Sequence, residues 1–235
     1  MNNSFVNTAR LLGAGLRALL VLTVLTGVIY PLAVTGVAQT LFQDKANGSE
    51  ITAHGKVAGS SLIGQSYTRP LKKGQQTPQA DLMWFQGRPA DGLGANSVNT
   101  RYKLILSGAT NLSADSGAVH GACPAQPADG TLCAQVLAAR AAVVKDNSVP
   151  GYPVKPSDVP ADAVTSSGSG LDPDISPAYA ELQVHRVAAR NRLPVATVEE
   201  LVRDHTTGRT LGFIGEPRVN VLELNIALKD LTAKH

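Results

Sequence analysis

The sequence predicts an α/β protein: one N-terminal transmembrane helix followed by a single mixed α/β extracytoplasmic domain. Three observations carry this. Ala18 to Gln43 runs without a charged residue, between Arg17 and Asp44. Beyond it, glycine-broken short apolar runs give way to segments of helical spacing. Helix-start and helix-stop residues punctuate the C-terminal third.

The charge-free stretch reads ALLVLTVLTGVIYPLAVTGVAQTLFQ. A bilayer core about 30 Å thick needs about 20 apolar residues of helix, so this run spans it with slack for tilt. The expected division is a short cytoplasmic N-terminus (1–17), a membrane helix (18–42) and an α/β domain (43–235) on the periplasmic side. A cleaved secretory signal is the alternative. Arg10 and Arg17 would form its basic start, Leu19 to Ile29 its apolar stretch and Gly36-Val37-Ala38 its cleavage site. Leu32, Val34, Val37, Leu41 and Phe42 continue the apolar run past Pro31. A signal has no need of them. A spanning helix does, because its backbone groups must be satisfied within the helix.

Within that run, Thr23, Gly27, Pro31, Thr35 and Gln39 recur at a spacing of four. Such positions neighbour one another on a helix and form a stripe. Small and weakly polar residues on a stripe let a second helix approach closely; a lone anchor of ordinary membrane composition is the plainer reading. Pro31 predicts a kink, since proline removes one backbone bond and crowds the preceding turn. Arg17, close to the apolar run, favours a cytoplasmic N-terminus, while Lys45 and Lys56 follow on the other side and nearly balance the count.

The net charge of +3 is modest, and Arg69, Lys72 and Lys73 make the only tight basic group, so nucleic acid is set aside. Cys123 and Cys133 bracket the turn-rich PAQPADGTL. In an oxidising compartment they can pair, which on the chain-entropy argument is worth about 2.7 kcal/mol; two unrelated thiols are the alternative. Two cysteines without clustered histidines do not complete a zinc site.

In the domain, strand candidates are Glu50–Ala53, Lys56–Val57 with Leu62–Ile63, and Tyr102–Leu106. From Leu132 to Val144 the spacing is helical, with Val136, Leu137, Ala141 and Val144 on one side. Asn147 to Pro177 is proline-rich, either ordered turns or a flexible cover. Ser176-Pro177 starts a helix, with an N-cap and a proline in its first turn, that runs to about Arg192 before Pro194. Thr197 with Glu200 reads as a capping box opening a second helix, and Gly208 as its stop. Thr210 to Ile214 reads as a buried strand. Asn220 with Glu223 starts a last helix with Val221, Leu224, Leu228 and Leu231 inward.

Catalytic motifs are absent. His54, His120, His185, His205 and His235 lie far apart, and neither a G-x-x-x-x-G-K-[ST] nor a G-x-S-x-G motif occurs. Ser166-Ser167-Gly168-Ser169-Gly170 with Leu171-Asp172-Pro173 is the one segment that draws attention. Its backbone N–H groups are of the kind that forms an anion-binding nest; a plain turn is the other reading.

Several stretches together resemble one family. They are TGVIYPLAVTGVAQTLF, with NGS soon after, GKVAGSSLIGQSYTRP, WFQGRPA, SGATNLS, SGSGLDPDISPAYAELQVHRVAARNRLP and HTTGRTLGFIGEPRVNVLELNIAL. This resembles the C subunit of the bacterial Kdp-type potassium-transporting ATPase, from about Arg17 to Leu231. Two stretches depart from the pattern: Leu71–Leu82, which looks like an insertion, and His120–Leu132, so the family lends no support to a disulfide. The resemblance implies a non-catalytic, single-pass subunit of an ATP-driven potassium uptake complex in the cell inner membrane. Its implied partners are a channel-like potassium-binding subunit, a P-type ATPase subunit and membrane lipid. It implies a need for the subunit in assembly and a role as catalytic chaperone raising the pump subunit's ATP affinity. Ser167, Gly168, Ser169, Gly170 and Leu171 correspond to a segment compared with nucleotide-binding signatures. ATP contact there conflicts with the expected topology, because ATP is cytoplasmic.

Overall fold

The computed structural model describes residues 3–70, 79–89, 116–119 and 121–233. The strand candidate Tyr102–Leu106, the SGATNLS block, His120 and His235 lie outside the described residues. The chain forms two compact units that divide after Glu50.

The first unit is a helical rod made of α1 (Asn3–Val24), a π turn (Leu25–Ile29) and α2 (Tyr30–Leu41), with a short α3 (Gln43–Ala46) after Phe42. Ser4–Leu41 is a candidate membrane span of 38 residues. At 1.5 Å per residue it is about 57 Å long, well beyond the about 30 Å of a bilayer core. The helix therefore starts well before Ala18, and its early turns carry Arg10 and Arg17. Leu19, Leu22, Leu25, Ile29 and Leu32 stand exposed along it, the kind of surface that lipid covers. The strain expected of Pro31 is taken up by the π turn. Proline has no N–H to give Gly27, four residues back, and its ring crowds that carbonyl. The Tyr30 N–H accordingly reaches back five residues to the Leu25 carbonyl, the spacing of a π turn.

In the second unit β1 (Glu50–Ala53) pairs with β2 (Lys56–Ser60) around His54 and Gly55, both at positive φ. A three-stranded antiparallel sheet holds β3 (Asp174–Ile175), β5 (Arg218–Asn220) and β4 (Thr206–Thr207), in that order. The helices are α4 (Leu132–Asn147), α5 (Pro177–Asn191), α6 (Val195–Asp204) and α7 (Val221–Thr232). Among them α5 is central. Its buried Ala180, Val184, Val187 and Ala188 pack with Ile175 and Val219 of the sheet, Val198 and Val202 of α6, Leu224 and Leu228 of α7, and Phe85. Burying each large apolar side chain stabilises by about 1.5–3 kcal/mol.

The ends of α5 follow its sequence. The Ser176 hydroxyl accepts from the Tyr179 N–H at 3.1 Å, and both Ser176 groups donate to Asp162 at 2.7 and 3.0 Å. Arg192, at φ 58, closes the other end in the left-handed region. Asn220 caps α7 by accepting from the Glu223 N–H at 3.2 Å. Asn147 to Pro177 is built of ordered short turns, including two 3-10 turns (Pro156–Asp158 and Ala161–Ala163).

Five expectations are corrected. Helix α6 opens at Val195 behind Pro194, with no side-chain cap, so Thr197 lies inside its first turn and makes no capping box. It ends at Asp204, and β4 intervenes before Gly208. Thr210 to Ile214 is not a buried strand; it is a tight turn whose apolar side chains point to the surface. Leu62–Ile63 lies beyond β2. On α4 the core-facing side chains are Val136, Ala139 and Val143, while Ala141 is exposed.

Candidate functional site

The stripe on the rod is exposed at all five of its positions, Thr23, Gly27, Pro31, Thr35 and Gln39. On an unbroken α-helix a spacing of four drifts about 40° per step, or about 160° from Thr23 to Gln39. A π turn holds about one extra residue and takes back about 100° of this. The turn at Leu25–Ile29 thus brings the stripe nearer to one face. A Cβ built on Gly27 meets only the Thr23 methyl, at 4.0 Å, so bulk added there projects away from the rod. The Gln39 amide donates to Asn47 Oδ1 at 3.1 Å and ties α2 to the turn after α3.

In the second unit a buried polar cluster clamps the segment Leu82 to Gln86. Asn225, 3% exposed, accepts from the Phe85 N–H and donates to the Phe85 carbonyl, both at 2.9 Å. Gln183, fully buried on α5, does the same for Gln86 at 2.7 and 3.0 Å. Arg186, 1% exposed, donates to Asn147 Oδ1 at 2.8 Å, to Gln183 Oε1 at 2.6 Å and to the carbonyls of Leu82 and Trp84. Two side-chain amides thus pair with this segment as a neighbouring strand would. Among the described residues no carboxylate forms an ion pair with the Arg186 fork; its partners are amide and backbone carbonyl oxygens. Burial pulls its pKa down to about 10, against the attraction of Tyr179 and Asp146, and it stays charged at neutral pH. Burial pushes the Tyr179 phenol up to about 12, only partly offset by Arg186.

The Ser/Gly segment lies where other parts of the chain converge. Arg88 donates to Asp172 Oδ2 at 3.0 Å and to the carbonyls of Thr165 and Ser166 at 3.4 and 3.3 Å. The Gly64 N–H donates to the Leu171 carbonyl at 2.8 Å, and a Cβ at Gly64 would sit 2.6 Å from the Asp172 carbonyl oxygen. Within the turn, the Gly170 N–H donates to the Ser167 carbonyl, the Leu171 N–H to Ser169 Oγ and the Asp172 N–H to Ser167 Oγ. Three amides that a phosphate could use are therefore already bonded inside the loop. Asp172 also crowds Asp174, whose carboxyl is pushed up mainly by burial, against the pull of Arg218.

Cys123 and Cys133 are joined, with Cα atoms 5.3 Å apart. Cys133 sits in the first turn of α4, behind the Thr131 cap, and its N–H donates to the Ser116 carbonyl at 3.0 Å. Among the described residues no group of three or more His, Cys, Asp and Glu is placed to hold a metal.

The sequence carried a signal for the clamp that reading by motif passes over. Gln183 and Arg186 fall on the same helical face as Tyr179, Ala180 and Val187. Polar residues on an apolar face are buried only with partners, and here the partners are backbone groups about 100 residues earlier in the chain.

The motifs that carry the resemblance meet in space: Gly64, Phe85, Gln86, Arg88, Leu171, Asp172, Gln183, Arg186 and Asn225 are joined in the contacts above. The KdpC family profile, described as the K+-transporting ATPase c chain, matches residues 12–230. The chain belongs to the KdpC family. It is 71% identical over 233 residues to the potassium-transporting ATPase KdpC subunit of Streptomyces coelicolor, covering 99% of this chain and 98% of that one. The KdpC subunit of Streptomyces avermitilis is 72% identical over 233 residues, covering 99% of each chain. That of Gemmatimonas aurantiaca is 46% identical over 222 residues, covering 93% of this chain and 94% of the relative. KdpC is a subunit of the K+-transporting ATPase, so the chain is one component of a potassium transport complex.

Proposed function

We propose that this chain is the single-pass, non-catalytic accessory subunit of a high-affinity, ATP-driven potassium uptake complex. Its N-terminus is cytoplasmic, its rod crosses the cell inner membrane and its second unit stands on the periplasmic side. It binds the channel-like potassium-binding subunit and the P-type ATPase subunit. It is needed for assembly and acts as a catalytic chaperone, raising the pump subunit's affinity for ATP through protein contact. The observation that carries the reading is the 38-residue apolar helix on a chain of the KdpC family. The inward use of the second unit's polar residues supports it further. Arg186, Gln183 and Asn225 hold the chain's own backbone. In this reading Ser167–Leu171 is a structural turn, and ATP does not bind there.

Gly27→Leu tests the rod. The substitution adds bulk to the exposed stripe, where a Cβ meets no side chain nearer than the Thr23 methyl at 4.0 Å. The detergent-extracted complex should lose this subunit, while the near-UV circular dichroism of the second unit stays as in the wild type. Full retention would remove the stripe as the packing face. ATP titration of the full chain in detergent checks the turn: saturable binding that Ser169→Trp abolishes would return the nucleotide to this loop. A native chain trimmed after Ala38 by mass would replace the whole reading with a secreted domain.

A further inference from the structure

Before Asp44 the chain holds no acidic residue, and Arg10 and Arg17 are its only charged side chains there. Both are exposed on α1. They are seven residues apart, about 10.5 Å along the axis and within about 20° around it, so they share one face. Gly13 and Ala14 lie between them. With Val6 and Ala9 these residues line a concavity of about 550 Å³. A Cβ built on Gly13 meets nothing within 4 Å, so its floor is open space. The bulky Phe5, Leu12 and Leu16 fall about 110° or more away around the axis.

This face suits a phosphate. A guanidinium presents a planar fork of donors that matches phosphate oxygens. Helical side chains lean toward the N-terminus, which brings Arg17 back over Gly13 and Ala14, while Arg10 bounds the outer end. The rod itself supplies no carboxylate to neutralise the pair.

The surface beyond Arg17 identifies what carries the phosphate. Val21 and Val24 continue the same face into the charge-free run, 56% and 50% exposed. An occupant therefore meets two cations at the edge of the apolar span and apolar surface beneath them. An anionic glycerophospholipid has its charge and its acyl chains in that order. The stripe proposed for helix packing points elsewhere. Thr23, where it begins, lies six residues after Arg17 and about 120° around the axis from it, so a helix packed there leaves the arginine face to lipid.

We infer that the Arg10–Arg17 face binds an anionic glycerophospholipid of the cytoplasmic leaflet, with the phosphate over Gly13 and Ala14 and the acyl chains along Val21 and Val24. This rests on the single-pass reading above. The bound lipid fixes the depth of a helix that is longer than the bilayer core it crosses.

Lipid retention by the full chain tests it. The chain is reconstituted in vesicles of phosphatidylcholine with phosphatidylglycerol, withdrawn in mild detergent, and its retained lipid measured. Phosphatidylglycerol should be preferred by about 30-fold, since each basic side chain at the surface contributes about fivefold. Arg10→Gln or Arg17→Gln should each cut the preference about fivefold, and the two together should abolish it. Gly13→Leu keeps both charges but fills the concavity, and should lower the preference as far as the loss of one arginine. An unchanged preference in Gly13→Leu would leave only diffuse attraction and overturn the site. So would equal retention of the two lipids by the wild type. If the double variant keeps the preference while the complex from native membranes loses this subunit, the arginines serve a partner's carboxylates and the lipid site is overturned. Alkaline carbonate separates the two levels. A wild-type chain that carbonate strips from the vesicles does not span them, and the single-pass reading fails; one that resists carbonate and shows no preference loses only the lipid site.

Discussion

At the scale of single residues, the most consequential side chain of the second unit is an asparagine. Asn225 satisfies both backbone groups of buried Phe85. Asn225→Ala removes both partners, and each buried unpaired group costs about 1–3 kcal/mol. Urea unfolding of the full chain in detergent should show a loss of about 2–4 kcal/mol, while an alanine at exposed Glu199 should change little. Equal midpoints for the two variants would show that the clamp is not a stability element. Tyr179 gives a pH test with a defined sign. Its phenol has a folded pKa near 12 against an ordinary value of 10. The folded state therefore favours the neutral form; that contribution is full below pH 10 and is lost as pH rises from 10 through 12. Arg186, with its pKa lowered to about 10, acts in the opposite sense over the same range. The wild-type curve alone therefore hides both. Tyr179→Phe separates them: its stability relative to wild type should rise between pH 10 and 12, by up to about 2.7 kcal/mol. A constant difference across that range would mean the phenol titrates normally.

At the scale of elements, what was legible in the sequence was what local chemistry dictates. Ser176 with Pro177 and Asn220 before α7 are side-chain caps within three residues of the groups they satisfy, and both do so. Helix α6 departs from its spelling because Pro194 opens it through a fixed φ and needs no capping hydroxyl, which leaves Thr197 inside the first turn. Gly208 plays no part in ending that helix because His205 already closes it. The stretch Thr210–Ile214 has the β-branched and aromatic composition of a buried strand. Composition reports how well a run suits burial, and only the rest of the fold decides whether anything covers it. The polar clamp was illegible for the same reason. Gln183 and Arg186 on an apolar face announce that partners exist, while the partners at Leu82 to Gln86 are fixed by tertiary packing alone. The apolar part of the rod, from Ala18 onward, is legible from charge and length; the helical turns from Asn3 to Arg17 and the π turn are not, and only the expected strain at Pro31 points to the latter.

At the scale of the whole molecule, the disulfide reports on the compartment of the second unit. It ties the turn near Ala122 to the first turn of α4, where Cys133 is 2% exposed. If the rod crosses the membrane with its N-terminus inside, the bond forms on the oxidising side and persists there. Cells quenched in acid and then denatured with a large maleimide reagent should show this chain unshifted. Prior reduction should add two labels per chain, since the sequence holds two cysteines. Two labels without reductant would put the second unit in a reducing compartment and reverse the orientation proposed for the rod. The same bond has an energetic consequence that does not depend on topology. It closes a loop with a sequence separation of 10, which on chain-entropy grounds is worth about 2.7 kcal/mol. Reduction should therefore lower the urea midpoint of the purified chain while leaving the clamp at Phe85 intact, because Asn225, Gln183 and Arg186 hold that segment from α7 and α5, and Arg186 meets α4 at Asn147, the end opposite Cys133.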